Sequence, residues 1–298
     1  MQLLTRWRFR LTLKGGELRQ VFGFSGFVLA GNLVGTFQAN AGVVVLARVL
    51  TATDVGYYSL ALYLTDTVRR ALMSILNRVT FVHYSQHKHD LARIREIFVA
   101  TVTWNCRVLF PVMTAVMLFG PALAVEFLGP EWARLGSVIF WLSLTVIIGT
   151  AGGTTSNLYK GLGRPGLDLL LMLITTVGIL FPALIVAGSL YGIEGAACAT
   201  AVVKLIAVLL RMVILNRMIG STTGKIFAVF VRFSLLQMPI FAAWVVARYA
   251  LPHPHWITDI VLMGLGLAIY GLIELPRAFP TLFQRFGLAV LLSKRMPK

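Results

Sequence analysis

Charged residues are scarce in this chain. Only 13% of its 298 residues are Asp, Glu, Lys or Arg, whereas 58% are hydrophobic. A soluble domain carries about 25% charged and about 45–50% apolar residues. The mean hydropathy of +0.82 is far above what a water-facing surface allows. The composition therefore excludes an ordinary soluble domain and indicates an integral membrane protein.

Acidic residues and cysteines are also few. The 11 Asp and Glu residues are scattered and offer no paired carboxylates for general acid–base catalysis. Cys106 and Cys198 lie inside apolar runs, with neither metal-ligand spacing nor a disulfide framework. His83, His87 and His89 have no carboxylate or cysteine to complete a metal site, so we interpret them as part of a solvated loop. The sequence predicts no enzyme, no metal and no cofactor.

The chain is strongly basic, with a formal net charge of +16. Basic chains often bind the phosphates of nucleic acids. Here, however, the Lys and Arg residues stand at the ends of apolar runs, where the cytoplasmic loops of membrane proteins collect them. The distribution favours a membrane topology and predicts no nucleic-acid partner.

Long apolar runs separated by breaker residues predict an all-α membrane protein with about eight transmembrane helices. The predicted spans cover residues 22–50, 55–76, 97–119, 135–158, 167–190, 196–215, 226–250 and 257–275. Alternate loops hold most of the basic residues, which places both termini in the cytoplasm. Residues 1–20 are a basic cytoplasmic or interfacial segment, 21–218 a six-helix lobe, and 219–298 two further helices with a basic tail.

Two cations stand near the middle of predicted spans, Arg107 and Lys204. A charge at the centre of a membrane helix costs about 2.5–3.5 kcal/mol, so it tends to face a cavity or a partner. Arg211 follows Lys204 by two helical turns on the same face. Because Arg and Lys side chains both bind phosphate oxygens, the pattern indicates a cationic cavity for a phosphate-bearing ligand.

The second predicted span carries Asp66, Arg69 and Arg70, which share one helix face. Two interpretations remain open. Either the arginines line the cavity and Asp66 is a counter-ion or a coupling site for protons or sodium, or Asp66 pairs locally. In the second interpretation Arg69, Arg70 and Arg211 extend to the cytoplasmic interface.

The first predicted span contains the amides Asn32, Gln38 and Asn40. These side chains are candidates for a polar lining along a sugar path. They are equally suited to hydrogen-bonding across helices as packing contacts, each contributing roughly 0.6–2 kcal/mol. The sequence favours the packing interpretation.

Several short motifs occur in a fixed order. They are Gly56-Tyr57-Tyr58, Phe127-Leu128-Gly129-Pro130-Glu131-Trp132, Leu162-Gly163-Arg164-Pro165 and Tyr191-Gly192-Ile193-Glu194-Gly195. The series resembles the polysaccharide and O-antigen flippases of the multidrug/oligosaccharidyl-lipid/polysaccharide exporter superfamily, over residues 23–218. The motifs look like the second lobe of such a flippase, with the first lobe missing. An acid that these relatives often carry near the end of the first span of this lobe is lacking at residues 39–43.

The resemblance implies a flippase for a lipid-linked oligosaccharide or polysaccharide precursor, anchored on an isoprenoid pyrophosphate, in a bacterial cytoplasmic (inner) membrane. It also implies a second lobe, supplied by another copy or a separate chain. A membrane enzyme of polysaccharide assembly, such as a polymerase or acyltransferase, and an inactive fragment remain as alternatives. The short predicted outer loops argue against the enzyme, and a drug–cation exporter would need more acids in its cavity.

Overall fold

The computed structural model describes residues 26, 29–31, 33–37, 40, 42–86, 90–250 and 256–285. In these ranges the chain is helical apart from short turns, which confirms the predicted all-α class. The helices are α1 (Ala52–Gln86), α2 (Leu91–Leu128), α3 (Leu135–Gly161), α4 (Pro165–Leu173), α5 (Phe181–Ile219), α6 (Thr223–Leu235), α7 (Met238–Val245) and α8 (Trp256–Arg285). A 3-10 turn precedes α3, and π-helical stretches follow α4 and α7, at Pro130–Arg134, Ile174–Leu180 and Val246–Ala250.

Six helical stretches are long and apolar enough to cross a bilayer. They are Leu29–Leu46, Leu91–Leu128, Pro130–Gly161, Pro165–Ile219, Thr223–Tyr249 and Trp256–Glu274. The 55-residue stretch Pro165–Ile219 is about 80 Å long at 1.5 Å per residue, enough to cross a bilayer core of about 30 Å twice. It breaks at Gly192, whose backbone angles are φ 64° and ψ −150°. The chain is a multi-pass membrane protein, and the count of about eight spans stays a prediction.

The bundle is apolar on its surface and holds polar side chains inside, the reverse of a soluble protein. Large apolar side chains lie on its surface, as Leu272 (73% exposed), Phe227 (68%) and Leu190 (67%) do. Polar side chains such as Asn105 and Asp168 are buried inside. Lipid satisfies the outer face, whereas the interior polar groups need partners or a ligand.

The polar stretch between the second and third predicted spans is more helical than expected. We predicted a solvated loop around the histidines, but α1 continues to Gln86 and α2 begins at Leu91. Asp90 caps α2, because its Oδ1 accepts hydrogen bonds from the backbone nitrogens of Ala92 (3.1 Å) and Arg93 (3.0 Å). The prediction was wrong for His83, which lies in α1, because a helix continues without further apolar residues when water solvates its polar face; His87 and His89 lie outside the described residues.

Two buried clusters hold the bundle together. One joins α2, α3, α5 and α6, with Phe98, Tyr159, Leu215 and Phe233 at its centre. The other joins α1, α3 and α5 with the preceding segment and is built on Tyr58, Leu135, Ala197 and Leu46. Together they place α3 between α2 and α5.

Three of the sequence motifs meet at one end of the bundle. The hydroxyl of Tyr57 donates to the backbone oxygen of Glu131 (2.9 Å), and its ring packs edge-on against Trp132 at 5.1 Å. Ser137 donates to Glu194 at 2.9 Å, which brings in the third motif. These contacts tie the N-terminal end of α1 to the turn before α3 and to α5, so the motifs define how the helices join at this rim.

Candidate functional site

Three adjoining cavities open between α1, α3, α4 and α5. Each cavity is named after a residue that lines that cavity and neither of the other two. The Asn105 cavity and the Arg211 cavity each hold about 310 Å³, and the Asn40 cavity holds about 830 Å³. Leu62 lines all three, so they form one connected polar space inside the bundle.

Lys204 of α5 lines both the Asn105 cavity and the Arg211 cavity. Its side chain reaches the cavities over Gly149 of α3, where an added Cβ would lie 2.5 Å from Lys204 Cε. A larger residue at position 149 would force the end of the lysine side chain to shift. Among the residues that the structure describes, none forms a hydrogen bond or an ion pair with the Lys204 ammonium group.

Asp66, Arg69 and Arg70 pair with one another on α1, as the local-pairing interpretation expects. Arg69 Nη2 lies 2.5 Å from Asp66 Oδ1, and Arg70 Nη1 lies 3.0 Å from Asp66 Oδ2. The two arginines are 41% and 58% exposed, and all three side chains line the Asn40 cavity. Local pairing and cavity lining thus occur together, and a coupling role for Asp66 stays a prediction.

Arg211 lines the cavity named after it and is bound to an acid that sequence reasoning missed. Arg211 Nη1 lies 2.7 Å from Asp168 Oδ1, and Ser156 donates to Asp168 Oδ2 at 2.6 Å. Lys160 Nζ lies 3.8 Å from the same carboxylate. Asp168 stands in the first turn of α4, just inside an apolar run, and that isolated acid was the available signal.

Arg107 lies away from the three cavities and is among the residues that line none of them. Its Nε lies 2.9 Å from Glu274 Oε2 on α8, and Arg232 Nη2 of α6 lies 2.8 Å from the other carboxylate oxygen. The Arg107 guanidinium also stacks 4.4 Å above the ring of Trp104. The depth of Arg107 is explained by a buried partner on the C-terminal helices, which sequence reasoning missed.

The structure describes only some of the amide and histidine side chains considered in the sequence analysis. Asn40 lines its cavity and donates to the backbone oxygen of Thr36 at 3.1 Å. Asn32 and Gln38 lie outside the described residues, and so do the side chains of His83, His87 and His89. Within the described part of the chain, no three His, Cys, Asp or Glu side chains are grouped for a metal ion.

The cavities carry an excess of positive charge. The described residues that line them include five cations and two carboxylates: Arg69, Arg70, Lys160, Lys204 and Arg211 against Asp66 and Asp168. A net charge of +3 inside an apolar bundle is unfavourable unless an anion compensates it. The arrangement is therefore suited to a multiply charged anionic group.

Comparison with known proteins shows which proteins this chain resembles. A family model described as polysaccharide biosynthesis protein matches residues 1–139. The fold is similar to the lipid II flippase MurJ in its inward closed conformation, with a TM-score of 0.67 and 13% identity over 95% of this chain and 58% of that one. The likeness shows that the two proteins share a fold, a bundle of membrane helices.

Two curated relatives are named for the biosynthesis or transport of polysaccharides. The lipopolysaccharide biosynthesis protein WzxC of Escherichia coli (strain K12) is 22% identical over 67% of this chain and 40% of its own length. The succinoglycan biosynthesis transport protein ExoT of Rhizobium meliloti (strain 1021) is 30% identical over 48% of this chain and 28% of its own length. The resemblance to the polysaccharide flippases is confirmed, and the chain spans less than half the length of these relatives.

Proposed function

We propose that this chain is the lipid-linked-glycan-binding lobe of a flippase. It binds an oligosaccharide or polysaccharide precursor through a phosphate-bearing anchor and moves it across the membrane. The relatives named for polysaccharide biosynthesis and for transport support this proposal.

One observation carries the proposal. Lys204 is a half-buried cation in a polar cavity, and no described residue neutralises it directly. An unpaired charge in such a place is costly and marks a ligand position by default. A diphosphate group supplies the missing negative charge and accepts hydrogen bonds from an ammonium group.

The other cations of the cavities pair with carboxylates and act differently from Lys204. Arg69 and Arg70 share Asp66, and Arg211 shares Asp168 with Lys160. They raise the positive potential of the cavity and concentrate anions there. Transport then follows by movement of one helical lobe against another around the bound headgroup.

The resemblance to two-lobed flippases supports a second lobe in the transport path. The chain covers 58% of the MurJ fold, and its cavities lie at the side formed by α1 and the segment before it. We propose that a second copy or a separate chain completes the transport path. The resemblance supports a bacterial cytoplasmic membrane location, and the distribution of basic residues supports both termini in the cytoplasm.

The proposal is tested in a bacterial host that uses this gene for surface polysaccharide. Deleting the gene is expected to stop surface polymer and to accumulate the lipid-linked precursor in the cytoplasmic leaflet. The wild-type chain and Lys204→Arg are expected to restore export, whereas Lys204→Gln is not, because only the charge is lost. Lys225→Gln is the matched control, since this exposed lysine lies outside the cavities.

Unchanged polymer in the deletion strain, without precursor accumulation, contradicts a flippase function. Full export with Lys204→Gln contradicts the role of Lys204 and leaves the class of transporter in place. Normal levels of each variant in the membrane are checked by immunoblotting.

A further inference from the structure

The amide oxygen of Asn105 lacks a hydrogen-bond partner in the described part of the chain. Asn105 is 3% exposed and lines the Asn105 cavity opposite Lys204. Its Nδ2 donates to Thr154 Oγ1 at 2.8 Å, but its Oδ1 is buried and accepts nothing. Buried acceptors are nearly always satisfied in native proteins, so this oxygen requires an explanation.

The orientation of this amide follows from the hydrogen-bond network. Thr154 donates its own hydroxyl proton to the backbone oxygen of Thr150 at 3.2 Å. Its oxygen is therefore an acceptor towards Asn105, which must present its NH₂ group to it. The free atom of Asn105 is consequently the oxygen.

Threonine hydroxyls extend the same acceptor chemistry around the cavity. Three threonine hydroxyls donate to carbonyl oxygens four residues earlier in their own helices: Thr65 to Ala61 (2.8 Å), Thr145 to Trp141 (2.9 Å) and Thr150 to Val146 (3.2 Å). All three threonines line the Asn105 cavity. With their protons used in this way, these hydroxyls offer only lone pairs to a ligand.

We infer that Asn105, Thr65, Thr145 and Thr150 form a sugar subsite, which we name the acceptor wall, and that it recognises the hydroxyl groups of the first sugar of the lipid-linked glycan. A phosphate group is an acceptor and gains nothing from this wall, whereas a sugar brings several O–H donors. This inference rests on the proposed function, because Lys204 holds the phosphate to which that sugar is attached.

The placement of the two subsites matches one ligand. Gly149, which makes room for Lys204, and Thr154, which holds Asn105, are five residues apart on α3. They lie about 7.5 Å apart along the helix axis, and Lys204 and Asn105 line the same cavity. The cavity volume of about 310 Å³ is within the usual range for a small-ligand site.

The test compares two probes that differ by one sugar. The full chain in lipid nanodiscs is titrated with undecaprenyl diphosphate and with undecaprenyl diphosphate bearing one hexose. Asn105→Leu is expected to weaken binding of the hexose-bearing probe about tenfold and to leave binding of the bare diphosphate unchanged. Lys204→Gln is expected to weaken both.

Thr150→Val provides a second, near-isosteric variant that removes one acceptor, with the same expected split. Thr103→Val is its matched control, because Thr103 makes the same type of bond to Val99 (2.7 Å) outside the cavity. Each probe should bind to this control variant with the same affinity as to the wild-type chain.

The outcomes separate the two claims. If the wild-type chain binds both probes equally well, or if Asn105→Leu and Thr150→Val weaken both probes alike, the sugar subsite is overturned and the flippase function stands. If the wild-type chain binds neither probe, the proposed function itself fails, and the inference fails with it.

Discussion

At the residue scale, Lys204 and Arg107 look alike in the sequence but have different environments in the structure. Both are cations near the middle of an apolar run. Lys204 faces a cavity, whereas Arg107 binds Glu274 from a helix more than 160 residues away along the chain. Depth in a helix predicts that a charge has a special environment. It does not identify the partner, because the pairing arises from tertiary contacts.

Gly149 gives a direct test of how Lys204 is positioned. Gly149→Ala places a methyl carbon 2.5 Å from Lys204 Cε, so the end of the lysine side chain must shift and the ammonium group moves with it. We expect about tenfold weaker binding of undecaprenyl diphosphate, equivalent to about 1.4 kcal/mol. Gly264→Ala is the control, because nothing lies within 4 Å of a Cβ at that position and Gly264 lines none of the three cavities. Equal affinities of the two variants would contradict the proposed path of the lysine side chain.

Asp168 is predicted to neutralise Arg211 and so to weaken the binding of Arg211 to the ligand. Asp168→Asn removes the charge that neutralises Arg211, so we expect tighter binding of undecaprenyl diphosphate together with stability lowered by about 3 kcal/mol. Titration and thermal unfolding in nanodiscs measure the two effects. Asp259→Asn is the control, because this buried acid pairs with Arg248 (3.1 Å) outside the cavities. Weaker binding by Asp168→Asn would show that Arg211 does not contact the ligand.

At the element scale, a buried ion-pair cluster fastens the C-terminal helices to the lobe. Glu274 of α8 binds Arg107 of α2 and Arg232 of α6, and the hydroxyl of Tyr270 donates to the backbone oxygen of Arg107 at 2.9 Å. The sequence predicted these helices but not their attachment. Glu274 stands at the very end of a predicted span, where an acid reads as an interfacial residue.

Removal of this carboxylate is expected to loosen the attachment. Glu274→Gln leaves Arg107, which is 11% exposed, without a charge partner, at a cost of about 3–5 kcal/mol. Thermal unfolding in detergent should show a lower midpoint. Glu96→Gln removes the acid of an exposed pair with Arg93 (55% and 68% exposed) and should cost less than about 1 kcal/mol. A similar midpoint for both variants would mean that the cluster does not fasten the helices.

At the scale of the whole molecule, the apolar runs were sufficient to predict the class and most helix positions. They did not predict that α1 continues to Gln86 and that α2 begins at Leu91, beyond the predicted spans, since hydropathy carries no signal for a solvated helix. They also did not predict that the two spans around Gly192 form nearly one helix with a single-residue break. The cavity cations were predictable from their depth, whereas Asp168 and Asn105 needed three-dimensional contacts to become visible.

The orientation in the membrane is testable with single cysteines. In a background of Cys106→Ala and Cys198→Ala, Glu131→Cys is expected to react with a membrane-impermeant maleimide in intact cells. Lys225→Cys should react only after permeabilisation. Both positions are exposed, so a lack of reaction reports on the side of the membrane. The reverse pattern would contradict the positive-inside assignment.

The most direct measurement of the central claim is an experimental structure of the full chain with undecaprenyl diphosphate. The account predicts that the diphosphate lies between α3 and α5, within hydrogen-bond distance of Lys204 Nζ. A diphosphate bound instead at the Arg107–Glu274–Arg232 cluster, or on the lipid-facing surface, would contradict it.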